Sequence, residues 1–381
     1  MRLEEICDAK TTQAIMSETV ENATGLPNAC YTSAEWLKAE NERLFTQSWM
    51  LAGFCHDVPA CGDACPVEVA GLPLVIVRGE DDEIRVFHNV CRHRGAVLVT
   101  EPCKGKQGLT CPYHGWSYRL DGSLRARPRF YGLDKHDVSP GTNAPTLVLV
   151  RHAVWNDFIF VDLSGRQVDF ETYWAPFVRR MKGYDFPALR YARTLHFDVA
   201  GNWKLIYENF IDAYHVPTLH PKLEAFVPTI GRVAVQTEGS WFYSTCPIGE
   251  TQEGRGQGLP VFPGLENDHQ PTEWFFYLFP GLAMVIWPDQ VAVFQLHPRT
   301  PDHTHEEIHM YFIGDAATAS QFEQRRQDTY ESWNELNTED FLIVENMQKA
   351  RSSPGFDGGV LSPFWDPPTQ HFARLILNAM Q

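Results

Sequence analysis

The sequence predicts an α+β protein in which a small all-β domain precedes a larger domain with an antiparallel sheet backed by helices. Three observations predict it. Short apolar runs alternate with turn residues from LPLVIVRG to FIFVDL. A second set of strand-like runs, GRVAVQTEG, SWFYSTC, EWFFYLFP, AMVIWPD, VAVFQLHP and EEIHMYFIG, follows in the later half. A helical period from about Ala316 to Ala350 then carries Phe322, Tyr330, Trp333, Leu336, Phe341, Val344 and Met347. The expected divisions are 1-49 for an N-terminal arm and helix, 50-165 for the β domain and 166-381 for the sheet-and-helix domain. A chain of 381 residues, 44% hydrophobic and 21% charged, is long enough for both cores.

Charge narrows the function. A formal charge of -16 with no Lys/Arg-rich run disfavours a nucleic-acid surface. No run of roughly 18 apolar residues suggests a membrane span. The nine cysteines are an odd number, and the start MRLEEICDAK lacks a basic and then apolar signal pattern. The cytoplasm is the expected location.

In chain order, residues 1 to 30 show no firm period. Thr32-x-x-Glu35 reads as a capping box before the helix SAEWLKAENERLF. LPLVIVRG and EIRVFHNV form a hairpin about Asp81-Asp82 that delivers Cys91, and LTCPYHGWSYRLDGSL forms another about Asp121-Gly122. EPCKGKQG between them reads as a loop, and LVLVRHAVWNDFIFVDL closes the domain. Cys61, Cys65 and Cys103, with His88, His136 and His152, lack a compact ligand spacing.

The chemistry sits in two hooks, Cys91-Arg92-His93 and Cys111-Pro112-Tyr113-His114, separated by 17 residues. Two cysteines and two histidines are the ligand set of a Rieske [2Fe-2S] cluster, and tetrahedral zinc accepts the same atoms. The pattern C-x-H-x17-C-x2-H resembles the large subunit of Rieske non-haem iron oxygenases. That resemblance implies both cysteines on one iron and both histidines on the other. Neutral imidazoles raise the reduction potential above that of an all-thiolate cluster, which makes a one-electron relay.

A second signal is NWKLIYENFIDAYHVPTLH, residues 202–220. Read as a helix through His215, it sets Asp212 and His215 on one face, and Pro217 interrupts it so that His220 can swing back. Two imidazoles and a carboxylate make a facial triad for Fe(II). Histidines five apart in a half-apolar segment are also common in plain structural roles. The passage resembles the mononuclear iron motif of the same oxygenases. The resemblance implies His215 and His220 as iron ligands, Asp212 as the carboxylate on the electron path, and Asn209 nearby as a supporting residue. The third ligand must be an acid on an ordered element far along the chain, and Asp340 in NTEDFLIVENMQKARSS resembles the family's C-terminal ligand. Glu339 is expected on a different face, with Glu345 and Gln348 either supporting the ligands or solvated. The resemblance further implies a helix-grip-like catalytic domain and a trimer in which Asp212 links His215 to His114 of a neighbouring copy.

Substrate and partners follow less directly. The compact alpha-only members resembled here act on carnitine, choline, glycine betaine and proline betaine, although Asp212 stands where carnitine-type members carry glutamate. Trp241, Phe242, Tyr243, Trp274, Phe276, Tyr277 and Trp287 are candidates for a cation-attracting pocket, or for core. Ring hydroxylation of an aromatic acid is the alternative, and a Rieske electron carrier without catalysis is the reading from another class. With no flavin, reductase or plant-type ferredoxin motif in this sequence, the oxygenase reading implies a separate flavin/iron-sulfur reductase drawing on NAD(P)H, with or without a ferredoxin. PIGETQEGRGQGLPVFPGLENDHQP is expected to cover the pocket entrance. His297, His303, His305 and His309 are numerically close, but the expectation is a turn at His303 and His305 and separate strands for the others, hence no further metal site.

Overall fold

The computed structural model describes residues 6–141, 143–229, 235–248, 259–265 and 272–381. The chain forms two compact units, residues 45–174 and residues 1–44 with 175–381. Among the described residues no helix is long and apolar enough to cross a membrane.

The unit of residues 45–174 consists of β1 (Trp49–Phe54), β2 (Ala64–Val69), β3 (Leu72–Arg78), β4 (Ile84–His88), β5 (Leu109–Thr110), β6 (Ser117–Tyr118), β7 (Leu124–Ala126), β8 (Arg151–Trp155) and β9 (Phe158–Asp162). They make three antiparallel three-stranded sheets, β1-β9-β8, β2-β3-β4 and β5-β6-β7. β3 is central in its sheet, and Leu74, Val75, Ile76 and Val77 are fully buried. The turn from β3 to β4 places Asp82 at φ +63°, a left-handed conformation that aspartate tolerates better than most residues. The core beneath the second hairpin includes Val75, Val77, Phe87, Leu109, Tyr118 and Leu124, and Cys91, Cys111 and Trp116 belong to it.

The other unit is built on one antiparallel sheet. Its strands are β10 (Leu189–Val199), β11 (Gln236–Glu238), β12 (Trp241–Pro247), β13 (Thr272–Leu278), β14 (Leu282–Ile286), β15 (Gln290–Thr300) and β16 (His303–Ile313), in the order β10-β16-β15-β14-β13-β12-β11. Between β10 and β11 the chain makes helices Trp203–Phe210, Val216–Leu219 and Pro221–Phe226; after β16 come Glu323–Ala350 and Pro367–Met380. Glu40, from the N-terminal helix Ala34–Arg43, reaches this core. Its carboxylate accepts from Lys204 Nζ (2.7 Å), Trp36 Nε1 (2.9 Å) and Trp203 Nε1 (2.9 Å), and Glu40 and Lys204 are both fully buried. Removing one member of such a pair leaves an uncompensated charge and costs about 3–5 kcal/mol.

Several expectations need correction. Ser33, not Thr32, caps helix Ala34–Arg43, accepting from the Trp36 N–H at 3.2 Å, while Thr32 ends the preceding helix Ala29–Thr32. The long helix starts at Glu323, because Gly314–Ala317 and Ser320–Phe322 are separate 3-10 turns. β10 was not anticipated; a register shift between Tyr191 and Arg193 breaks its alternation. Helix Pro367–Met380 was also missed, although its paired prolines at the first turn were a start signal. Most of the glycine- and proline-rich insertion, and residues 231–234 of GRVAVQTEG, lie outside the described residues.

Candidate active site

The two hooks fold into matching loops. The Cys91 N–H donates to Ala96 O (2.8 Å) and the Gly95 N–H to Cys91 O (3.0 Å); the Cys111 N–H donates to Trp116 O (2.8 Å) and the Gly115 N–H to Cys111 O (3.1 Å). Gly95 and Gly115 have φ of +77° and +71°, which explains a glycine after each histidine hook. The thiols are buried, each residue 3% exposed, while His93 and His114 are exposed with ring centroids 4.7 Å apart. His93 stacks on Trp116 at 4.7 Å, and the Tyr118 hydroxyl lies 3.3 Å from Cys91 Sγ and accepts from the Arg92 N–H at 2.9 Å. Two thiols and two imidazoles from one double loop fit a [2Fe-2S] cluster whose histidine side meets solvent.

In the catalytic unit, local competition for backbone groups shapes the second histidine set. Asn202 caps helix Trp203–Phe210 by accepting from the Lys204 N–H at 3.1 Å. That helix ends at Phe210, and Asp212 then captures the N–H groups of Tyr214 (2.6 Å) and His215 (3.3 Å). A short acceptor side chain bonding two residues ahead offers the backbone an alternative to helix. Asp212 and His215 are therefore not on one helical face as expected. Pro217 begins a helix rather than breaking one, since its missing N–H would be unpaired in a first turn anyway.

This turn brings the His215 and His220 rings to 5.2 Å between centroids. His215 Nδ1 faces Asp212 Oδ2 at 3.0 Å and His220 Nδ1 faces Glu339 Oε2 at 2.6 Å. Both Nε2 atoms point at Asp340 Oδ1, from 3.5 Å for His215 and 2.9 Å for His220. Asp340 Oδ1 also accepts from Asn209 Nδ2 at 3.1 Å. One donor atom from each of His215, His220 and Asp340 falls within 4.8 Å of the other two, a set that could hold a metal ion. A carboxylate on each Nδ1 fixes the tautomer that leaves Nε2 free for a metal. Burial opposes protonation of His220, yet Asp340 and Glu339 outweigh it and hold its pKa above the ordinary value. The field favours positive charge, and two imidazoles with one carboxylate fit Fe(II).

Glu339 is the residue whose place the sequence reading missed. It lies beside Asp340 on helix Glu323–Ala350, and His220 sits so that one ring nitrogen meets each carboxylate. Gln348 and Glu345 serve elsewhere: Gln348 Oε1 accepts from the Asn202 N–H (3.1 Å) and Glu345 Oε1 from the Ala200 N–H (3.3 Å), fixing the chain before the histidine turn.

The triad opens on a pocket of about 1040 Å3 including its mouth. Its aromatic wall is Tyr207 and Phe210, Phe275, Trp287 and Phe294, and Trp333 and Phe341. Of the aromatics expected there, only Trp287 lines it. Alternation explains the difference, because Phe275 faces the pocket while its neighbours Trp274 and Phe276 stack on each other at 5.5 Å. Phe242, Tyr243 and Tyr277 line an adjoining smaller hollow that shares Phe210, Asp212 and Phe275 with the pocket. Two buried carboxylates, Glu273 and Glu306, also face the pocket. Glu273 accepts from Trp287 Nε1 at 2.7 Å. Burial, reinforced by the Asp340 charge, pushes the Glu306 carboxyl up to about 8.

One class of protein joins a cysteine-histidine double loop to a histidine-carboxylate pocket in the same chain, the Rieske-type non-haem iron oxygenases. Residues 48–137 match the Rieske [2Fe-2S] domain, and residues 186–381 match the ring hydroxylating alpha subunit (catalytic domain). The chain belongs to the ring hydroxylating alpha-subunit family. It is 33% identical over 217 residues to the glycine betaine monooxygenase oxygenase subunit of Chromohalobacter salexigens, covering 56% of this chain and 47% of that one, about half its length. It is 26% identical over 338 residues to the carnitine monooxygenase oxygenase subunit of Acinetobacter pittii, covering 87% and 86%. Its fold is similar to that of a quaternary ammonium Rieske monooxygenase (TM-score 0.81, 23% identity, 97% of this chain and 98% of that chain). It is also similar to naphthalene 1,2-dioxygenase from Rhodococcus sp. (TM-score 0.75, 19% identity, 99% and 98%).

Proposed function

We propose that this protein is the terminal oxygenase of an electron chain from NAD(P)H and that it oxidises a quaternary ammonium compound. Cys91, Cys111, His93 and His114 hold the cluster; His215, His220 and Asp340 hold the mononuclear iron. Asp212 and Glu339 orient the two histidines, and Asn209 orients Asp340. The cluster supplies single electrons and the iron supplies reductive activation of O2 when bound. The chain's own residues then do the rest: the aromatic wall excludes water and seats the substrate, and Asp212 fixes the His215 ring on the route of the incoming electron. A separate reductase, a homotrimer in which the cluster of one copy serves the iron of the next, and a reducing cytoplasmic location complete the proposal. The family resemblance supports the first two. The need to keep Cys91 and Cys111 as thiolates supports the third.

The observation that carries the substrate class is the pair of buried carboxylates, Glu273 and Glu306, in an aromatic wall. Aromatic faces attract an ammonium group through their quadrupole, and a buried carboxylate gains most from a cation that replaces lost water. The relatives named for glycine betaine and carnitine point the same way. A cation bound beside Glu306 favours the ionised carboxylate that burial and the Asp340 charge otherwise oppose.

The test is substrate-dependent O2 and NADH consumption by the protein with its reductase, across choline, betaines, carnitine and matched aromatic acids, with mass analysis of products. Oxidation at an N-methyl group gives a carbinolamine that releases formaldehyde and a demethylated amine. Turnover confined to aromatic acids would overturn the proposal. Above the raised pKa of Glu306, where its carboxylate is charged, Glu306→Gln is expected to raise KM for the cationic substrate on the order of tenfold while leaving a neutral tert-butyl isostere unaffected.

A further inference from the structure

The seven-stranded sheet has a second face, turned away from the pocket. On β15 and β16, Phe294, Leu296 and Glu306 face the pocket, so alternation turns Gln295, His297, His305, Glu307 and His309 to the other side. Register completes the arrangement. His196 of β10 lies opposite Glu307, Asp198 opposite His305, and His297 of β15 opposite His305 on the other flank. His297 and His309 lie on separate strands as expected, but the expected turn at His303 and His305 is corrected, and all four lie on one face. β16 begins at His303, so His303, His305 and His309 share one face, and β10 adds His196.

Glu307 is the centre of the patch. Its Oε1 lies 3.3 Å from His196 Nδ1 and 3.5 Å from His305 Nε2; its Oε2 lies 3.5 Å from His297 Nε2 and 3.4 Å from His309 Nε2. One donor atom from each of His196, His305 and Glu307 falls within 4.8 Å of the other two. Bonds of 2.0–2.1 Å to a tetrahedral cation require donor atoms about 3.3 Å apart, which two of these distances already approach. His305 Nδ1 meets Asp198 Oδ1 at 3.0 Å. That contact fixes the tautomer with Nε2 directed at the Glu307 oxygen, the same device that orients His215 and His220 in the pocket. His297 and His309 flank the other carboxylate oxygen. The His196 side chain is 58% exposed, so a cation can enter from solvent.

We propose that His196, His305 and Glu307 form a second metal site, separate from the iron pocket, for a borderline divalent cation of the Zn2+ class. Imidazole nitrogen with carboxylate oxygen is a donor set that zinc accepts, with solvent completing four-coordination. The site bridges β10 and β16 and leaves the oxygenase pocket on the opposite face untouched.

The test uses the holoprotein with both iron centres filled. Equilibrium dialysis against Zn2+ with metal analysis should find one zinc per chain beyond the iron, and Co2+ in its place should show ligand-field bands of an imidazole-bound site. His196→Gln and Glu307→Gln should each weaken zinc binding by about tenfold or more with iron content unchanged. His196→Gln alters an exposed side chain and decides the matter even if Glu307→Gln fails to fold. The proposal is overturned if the wild type retains no zinc, if both variants bind it unchanged, or if zinc uptake expels iron, which would place it in the pocket.

Discussion

The cluster loops and the iron pocket both gather histidines, but over different lengths of chain. Each loop is closed by hydrogen bonds spanning five residues or fewer, as from Cys91 to Ala96 and from Cys111 to Trp116. The pocket joins His215 and His220 to Asp340, more than a hundred residues away, with Asp212, Glu339 and Asn209 each aiming one ligand. The difference teaches where tolerance lies. On the proposed assignment, a loop whose buried thiol is its ligand has no substitute for it, whereas a pocket assembled through orienting side chains should fail in steps.

The largest effect tests the loops. Cys111→Ala should remove the cluster entirely, with loss of about two irons per chain, of the visible and electron-resonance spectrum, and of turnover. A retained two-iron spectrum would reject the ligand role. Next, Asp340→Ala should lower turnover by roughly a thousandfold or more while the cluster spectrum stays intact, since the ligand lies in the other unit. If that variant also loses the cluster spectrum, the two centres are not built independently and the comparison breaks.

Smaller effects sharpen the stepwise character of the pocket. Asp212→Asn keeps the side-chain shape but removes the charge beside His215 Nδ1, so both metals should stay bound while electron transfer to the iron slows severely. Single-turnover kinetics of prereduced protein measures it; an unchanged rate removes Asp212 from the route. Glu339→Gln is expected to be milder, weakening iron binding by about 10–100-fold through looser aim of His220. Iron retention during dialysis against a chelator reads this, and retention equal to wild type would assign Glu339 no orienting role.

Sequence by itself determined whatever depends on neighbours along the chain. The Cys91 and Cys111 hooks, their glycines, the hairpin turns and the five-residue spacing of His215 and His220 are all local, so residue types and intervals carried them. Asp340 was legible only through its resemblance to a family segment. The tertiary structure decided the rest, because it depends on registers and rotations that no spacing encodes. Helix Glu323–Ala350 had to rotate so that Glu339 and Asp340 met the two nitrogens of one ring. Strand alternation had to turn Phe275 into the pocket and Trp274 away from it. The pairing of β10 with β16 brought His196 to Glu307 from more than a hundred residues off, since a one-residue slip would have sent either side chain to the opposite face.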